Sequence, residues 1–304
     1  MDIRTQSKKF LAGLESRKRN PAKPRTIRAY QSYLRTWILP TIGSVDLAKF
    51  ENGAMKAFVA GLSGLAPSTV VSIANLVKEI VASAQDANGN ALYPRAWNNE
   101  FMDLPVVSNR DQKTPTMAVP ALETAISGAR GQFGPLYTLL AASGLRISEA
   151  LALKMGPDDG KGSFWIPEQS KLVIRGQLQD GGFLAPKTDA GYREVDIHPD
   201  INRSLASLSR TEGSYLFVSE SGQTGGHLPL ATAYDAMHKD GVPGFHSLRR
   251  FRVTRLREVG APEDLLKFWI GHSGKDISDR YSKLSQNVAV RKDWAEKAGL
   301  GFSI

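Results

Sequence analysis

Cysteine is absent from all 304 residues, which excludes disulfides, zinc sites built on thiolates and cysteine nucleophiles. No apolar run approaches the roughly 18 residues that a membrane-spanning helix needs. The N-terminal segment MDIRTQSKKF also has no apolar stretch resembling a signal peptide. A cytoplasmic protein without a membrane partner is therefore expected.

The signature motifs of several enzyme classes are missing as well. There is no GxxxxGK(S/T) loop and no strand-linked GxGxxG loop to hold a nucleotide, and no GxSxG nucleophile motif. The five histidines show no HExxH or other metal-ligand spacing, and no carboxylate cluster indicates a two-metal site. Neither a cofactor nor a metal is therefore expected. Chemistry on a phosphate would need cationic side chains and a nucleophile supplied by the protein itself.

Charge is the first positive signal. The chain has 39 lysine and arginine residues against 30 aspartate and glutamate residues, a formal net charge of +9. Residues 1–35 carry ten of the basic residues and only Asp2 and Glu15 as acidic ones. Such clustering is typical of nucleic-acid binding. A solvated helical face is the alternative interpretation at this point.

The length predicts about two domains. Residues 1–105 are predicted to form a bundle of short helices, of which one spans Thr26 to Leu39 and ends at Pro40. Residues 99–118 lose periodicity and contain two prolines, which predicts a linker over residues 106–118. The first domain is therefore expected to be entirely helical.

The second domain is predicted to span residues 119–284. Its ends have helical periodicity, whereas short alternating runs between residues 164 and 197 predict strands separated by glycine-rich turns. The resulting fold class is mainly α with a small antiparallel β-sheet. In residues 285–304, apolar side chains recur every four residues, which predicts a C-terminal helix.

A set of polar residues in the second domain can bind and attack a phosphate. His246 and Arg249 are three residues apart, so they are neighbours on one helix face. Gly271-His272 closes an apolar helix, with the glycine as its C-terminal cap. The set is completed by an arginine at a turn between helices, a lysine beside a strand turn and a tyrosine nine residues after His272: Arg146, Lys187 and Tyr281. Each residue alone is equally compatible with an ordinary surface or packing position.

The joint pattern resembles the tyrosine recombinase, or phage integrase, family. The segment Leu139–Leu151 is similar to the first-arginine motif of the family, and His246–Arg249 is similar to its HxxR box. The stretch from Leu266 through His272 to Tyr281 resembles its closing motif, and residues 185–195 resemble its lysine hairpin. The catalytic resemblance covers residues 119–284. Residues 1–105 are similar, by weaker signals, to its helical (SAM-like) core-binding domain.

The resemblance implies a two-domain DNA clamp that acts as a site-specific recombinase, without metal or ATP, through a 3′-phosphotyrosyl intermediate. A phenol with a pKa of about 10 is a poor nucleophile at neutral pH, so it needs neighbouring cations and a proton acceptor. The implied roles are nucleophile for Tyr281, phosphate binding for Arg146 and Arg249, proton acceptor for His246, leaving-group acid for Lys187 and phosphate orientation for His272.

The implied partner is a double-stranded DNA recombination site, on which four copies of the chain assemble and exchange strands through a Holliday junction. Accessory DNA-bending proteins are compatible with this interpretation. Localisation is expected to be cytoplasmic, at the nucleoid. The predicted DNA contacts are six arginines: Arg25, Arg28, Arg35, Arg250, Arg252 and Arg255. For those after the HxxR box, the alternative is a surface helix with Leu248, Phe251 and Leu256 inward.

The C-terminal tail, residues 285–304, would contact a neighbouring subunit, or else dock on its own domain. No separate arm-binding domain is expected before the core-binding helices. One departure from the family is Arg250, where relatives often have histidine, and it adds positive charge. Two other functions stay open: relaxation of DNA by a type IB topoisomerase mechanism, and DNA binding by a protein with a decayed recombinase site.

Overall fold

The structure, a computed structural model, describes residues 1–19, 21–108, 115–179, 181–186, 189–219, 226–272 and 284–304. They form two compact units, Met1–Gln112 and Lys113–Ile304, and the boundary falls inside the stretch predicted as a linker. Among these residues, no helix combines the length and the apolar character that crossing a membrane requires.

The first unit is helical, as predicted. Its α-helices are α1 (Ile3–Ser16), α2 (Pro24–Tyr33), α3 (Leu39–Ile42), α4 (Asn52–Ala60) and α5 (Pro67–Ala82). Proline at the first position of α2 and of α5 suits a helix start, where the missing N–H has no intrahelical partner. Apolar residues at helical spacing on α5, including Ile73, Val77 and Ile80, are fully buried in the core of this unit.

Pro40 does not end the helix that contains it, contrary to the prediction. A π-helical segment, Leu34–Ile38, joins α2 to α3, and the backbone N–H of Leu39 donates to the carbonyl of Leu34 five residues earlier. A π-turn widens the helix locally. Because proline lacks an N–H and crowds the carbonyl four residues before it, this wider turn lets the helix continue past Pro40.

The second unit is mainly helical and has its own core. Its α-helices are α6 (Val119–Gly128), α7 (Phe133–Ser143), α8 (Ile147–Ala150), α9 (Pro199–Ala206), α10 (Leu230–Lys239), α11 (Phe245–Glu258), α12 (Glu263–Ile270) and α13 (Val288–Ala298). Helix α7 is buried along nearly its whole length and packs against α11. Glycines in the left-handed conformation end α7 and α12, Gly144 at φ 71° and Gly271 at φ 66°. The predicted cap at Gly271 is confirmed.

The predicted small sheet is present, but it is mixed rather than antiparallel. The strands are β1 (Leu153–Met155), β2 (Ser163–Ile166), β3 (Lys171–Ile174), β4 (Gln177–Gln179), β5 (Gly182–Leu184) and β6 (Arg193–Asp196). The main sheet has the order β1-β2-β3-β6, in which β1 runs parallel to β2 and the other pairs are antiparallel. Strands β4 and β5 form a separate antiparallel hairpin.

The C-terminal helix α13 packs on the core of its own unit. Ala295, Ala298 and Leu300 are buried there. Arg291 on α13 is also buried and donates to Asp196 on β6 (Nε to Oδ2, 2.8 Å). This arrangement corresponds to the own-domain alternative, and the contact with a neighbouring subunit stays a prediction.

Candidate active site

Arg146 projects from the sharp turn that follows α7. The left-handed Gly144 reverses the chain there, and Arg146 then precedes the short helix α8. Its Nη1 donates to Oε1 of Glu149 at 2.9 Å, and its backbone N–H donates to Oε2 of the same carboxylate at 2.9 Å. About a third of the side chain (36%) is exposed. The guanidinium is therefore oriented by Glu149 and still open to a ligand.

Arg249 is fixed by backbone carbonyls at two helix ends. Its Nη1 donates to Gly144 O at 2.6 Å and its Nη2 donates to Ile270 O, so it connects the ends of α7 and α12. Burial, and secondarily the charge of Arg146, lowers the pKa of Arg249 to about 10. Arg249 therefore remains protonated at neutral pH, and its positive charge is close enough to that of Arg146 for the two to repel each other.

The two predicted histidines lie beside these arginines. His246 is one turn before Arg249 on α11, and His272 follows Gly271 after the end of α12. Burial and then the charge of Arg249 lower the pKa of His246 below its ordinary value of 6.5, and the same two causes lower the pKa of His272. Both rings are therefore mainly neutral at pH 7, which leaves each with a nitrogen able to accept a proton.

Arg146, His246, Arg249 and His272 together line one open cleft of about 980 Å³ in the second unit. The structure thus brings together four residues that are far apart in the sequence. Arg146 and His272, the first and the last of them, are separated by 126 positions. Lys187 and Tyr281 lie outside the described residues.

The cleft is chemically suited to an anion. Further along, it is lined by Arg250, Arg257 and Lys267, and among the described lining residues Glu263 alone is acidic. Glu263 is itself paired with Arg257 (Oε1 to Nη2, 3.4 Å). Two multi-donor guanidinium groups beside neutral imidazoles form a site that can hold the non-bridging oxygens of a phosphate and accept a proton near them.

A buried acid–base pair behind the cleft was not predicted. Glu149 on α8 pairs with Arg193 on β6 (Oε2 to Nη2, 2.9 Å), and both side chains are almost inaccessible to solvent. Burial on its own would raise the pKa of Glu149, but the charges and hydrogen bonds of Arg193 and Arg146 together outweigh this, and the pKa lies below its ordinary value. The position of Glu149, three residues after Arg146 at the start of a helix, is the sequence signal that could have identified it.

The predicted DNA contacts on α11 need correction. Arg252 is 3% exposed and donates from Nη1 to Gly299 O at 2.7 Å, so it anchors the end of the chain and cannot face DNA. Arg255 is partly buried and donates to Ala298 O at 3.2 Å, which also ties it to this end. Arg250 lines the cleft and donates to Pro115 O, and its contact with DNA stays a prediction. Leu248, like Phe251 and Leu256, is buried as the alternative interpretation of this helix required.

The three arginines of the first unit that are predicted to contact DNA are exposed, unlike Arg252. Arg25, Arg28 and Arg35 all lie on α2 or the π-helical segment that continues it, and all three are exposed. Arg25 and Arg28 are three residues apart on α2, which puts them on one face. Their contact with DNA stays a prediction.

A curated protein and several solved structures are similar to this chain. No family model matches the chain. The tyrosine recombinase XerD of Caulobacter vibrioides is 25% identical over 241 residues, which cover 74% of this chain and 73% of that protein.

Solved structures share the fold at lower identity. The Tn1549 transposon integrase, in complex with a circular intermediate DNA, superposes with a TM-score of 0.69 at 17% identity, over 97% of this chain and 94% of that one. A lambda integrase tetramer bound to a Holliday junction gives a TM-score of 0.61 at 14% identity, over 93% of this chain and 78% of that one. The spacing of the motif residues, their convergence in one cleft and the curated relative agree, and the chain is similar to tyrosine recombinases in sequence and in fold.

Proposed function

We propose that the chain is a tyrosine-type, site-specific DNA recombinase, which cleaves and rejoins DNA through a covalent bond between Tyr281 and a 3′-phosphate. The observation that carries the proposal is the cleft in which the guanidinium groups of Arg146 and Arg249 lie with His246 and His272. A decayed recombinase is not favoured, because Arg146, His246, Arg249 and His272 all line the cleft, and a topoisomerase is not favoured, because the curated relative is a tyrosine recombinase.

In the proposed reaction, the phenol oxygen of Tyr281 attacks the scissile phosphorus while Arg146 and Arg249 bind its non-bridging oxygens. His246 accepts the phenol proton. The bond between phosphorus and the 5′-oxygen breaks, and Lys187 donates a proton to the departing oxygen, which leaves as a 5′-hydroxyl. His272 hydrogen-bonds to the phosphate. Because one phosphate ester replaces another, the 5′-hydroxyl of a different strand can reverse the step without ATP.

The proposed partner is a double-stranded recombination site bound by four copies of the chain. The lambda integrase structure is a tetramer on a Holliday junction, and this chain shares its fold. Arg25, Arg28 and Arg35 of the first unit are proposed to contact DNA phosphates, with accessory DNA-bending proteins where the site requires them. Phosphate contacts supply much of the affinity of such proteins without reading sequence.

Trapping of the covalent intermediate tests the proposed function. Cells that express the chain are lysed in denaturant, protein–DNA adducts are isolated, and the attached DNA is sequenced. After nuclease digestion, mass spectrometry is expected to find a nucleotide on the peptide that contains Tyr281, and the attached ends are expected to share one sequence. Attached ends without a common sequence would favour topoisomerase-like relaxation, and absence of any adduct would contradict catalysis.

The rate of adduct formation is expected to fall as pH decreases through the lowered pKa of His246. Burial and the charges of Arg249, Arg250 and Arg146 hold that pKa below 6.5. The neutral, proton-accepting form therefore predominates at pH 7 and is lost on the acidic side, so the slope of log rate against pH is positive there. Single-turnover rates across the acidic range measure this limb.

The matched control is His246→Ala, whose residual rate should lack the acidic limb that depends on this residue. A variant with the same acidic limb as the unmodified chain would show that another group accepts the proton. Affinity for the same DNA is measured at each pH, so that a loss of binding is not taken for a loss of cleavage.

A further inference from the structure

Arg193 is a fully buried arginine with partners on three sides. It lies at the start of β6, and its side chain has no exposed area. Its Nη2 and Nη1 donate to the two carboxylate oxygens of Glu149, at 2.9 and 3.3 Å. Its Nε donates to Trp269 O at 2.7 Å, and Nη1 also donates to Gly191 O at 3.2 Å. One side chain thus connects β6, α8 and the last turn of α12.

The carboxylate that receives Arg193 is the one that orients Arg146. Oε1 of Glu149 accepts from Nη1 of both arginines, and Oε2 accepts from Arg193 and from the backbone N–H of Arg146. The Glu149 side chain is 6% exposed. Since its carboxylate has little solvent around it, its position depends on these two arginines.

The opposite side of Arg193 holds the approach to His272. Trp269 O, its acceptor, is three residues before His272, and the adjacent Ile270 O is the acceptor of Arg249. Gly271 lies against the guanidinium so closely that a Cβ there would be 2.8 Å from Nη1 of Arg193. A side chain at position 271 would therefore displace either Arg193 or the turn that carries His272.

We infer that Arg193 is a positioning residue for the recombination reaction: through Glu149 it sets the orientation of Arg146, and through Trp269 O it sets the place of His272. It does not face the cleft, so it acts on the phosphate only through these residues. A buried ion pair is weak evidence of stability, because a well-packed apolar replacement is often neutral or stabilising. The presence of this pair is better explained by the geometry that it imposes on two groups of the cleft. The inference rests on the proposed function.

The first test separates geometry from stability. In the double variant Glu149→Gln/Arg193→Met no buried charge is left unpaired, so the chain is expected to fold, with a denaturation midpoint lowered by the loss of the donors to Trp269 O and Gly191 O. Arg146 then loses its charged partner, and the last turn of α12 loses the Nε donor. Adduct formation on a duplex copied from the trapped site is expected to slow by about tenfold to a hundredfold, with affinity for the same duplex little changed.

Arg193→Lys is the second variant, which keeps the charge but loses the planar fork that reaches Glu149 and Trp269 O at once. It is expected to form the adduct more slowly than the unmodified chain. The matched control is Asp158→Asn/Arg175→Met, which removes another arginine–carboxylate pair of the same unit, one that makes no hydrogen bond to the residues of the cleft. The control is expected to form the adduct at the unmodified rate.

Each outcome decides a specific point. Folded Arg193 variants with the unmodified rate would overturn the positioning role while leaving the proposed function intact. Failure of both Arg193 variants to fold would assign the residue to the fold alone and would also overturn it. If the unmodified chain formed no adduct on the same duplex, the proposed function itself would fail, and the inference with it.

Discussion

Replacing Tyr281 by phenylalanine is expected to abolish the covalent protein–DNA adduct while DNA binding persists. The change removes the one oxygen proposed to attack phosphorus and keeps the ring, so contacts that depend on shape and on the phosphate-binding arginines remain. Denaturing gels of reactions on the trapped site measure the adduct, and a gel-shift titration with the same duplex measures affinity. Loss of signal in the first assay and not in the second is the expected pattern.

The matched control is Tyr192→Phe. Tyr192 belongs to the same unit, is 49% exposed and precedes β6 directly. It is therefore an accessible phenol with no proposed role, and its variant should form the adduct as the unmodified chain does. An adduct that persists in Tyr281→Phe would show that the nucleophile is misassigned, and loss of it in Tyr192→Phe would point to this residue instead.

The residues of the cleft were predictable because local sequence determines how each is presented. A glycine needed in the left-handed region fixes the turn before Arg146, and another fixes the end of the helix before His272. Helical spacing puts His246 on the same face as Arg249. The convergence of these segments on one cleft came from the family resemblance, since no local rule predicts which turns meet.

The residues that support the cleft were not predictable in the same way. The alternation along β6 predicted a strand and no more, whereas the structure buries Arg193 and Asp196 and exposes the adjacent Tyr192. Burial of the two charged residues becomes acceptable only because Glu149 and Arg291 pair with them, from α8 and α13. Such pairing is a property of the assembled unit, and strand periodicity alone does not contain it.

The errors on α11 and in the sheet have the same origin. The run of arginines after the HxxR box indicated a basic surface, but Arg252 faces inward because the carbonyl of Gly299, 47 residues further on, accepts its hydrogen bond. The parallel pairing of β1 with β2 likewise depends on the path of the chain between the two strands. The composition of a short strand does not indicate whether it pairs in parallel or antiparallel.

Truncation to alanine of Arg146 or Arg249, which are proposed to bind the phosphate, is expected to reduce the rate of adduct formation by on the order of 10²–10³, which is typical for loss of one donor to a developing anionic centre. The two variants should differ in stability. Arg146 is 36% exposed, and its side chain is bonded to Glu149. In Arg146→Ala, Glu149 still has Arg193 as a partner, so the variant should lose at most about 1 kcal/mol of unfolding free energy.

Arg249→Ala removes the donors to Gly144 O and Ile270 O at the ends of α7 and α12, and it opens space in a buried position. Each buried carbonyl left without a donor costs about 1–3 kcal/mol, so this variant is expected to be clearly less stable as well as slower. Denaturant titration of the free chain and single-turnover cleavage, performed on both variants, measure the two effects. Equal stability losses would contradict the different settings of the two arginines. An unchanged rate in either variant would show that this arginine does not bind the phosphate, because its positive charge would then not stabilise the negative charge that develops there.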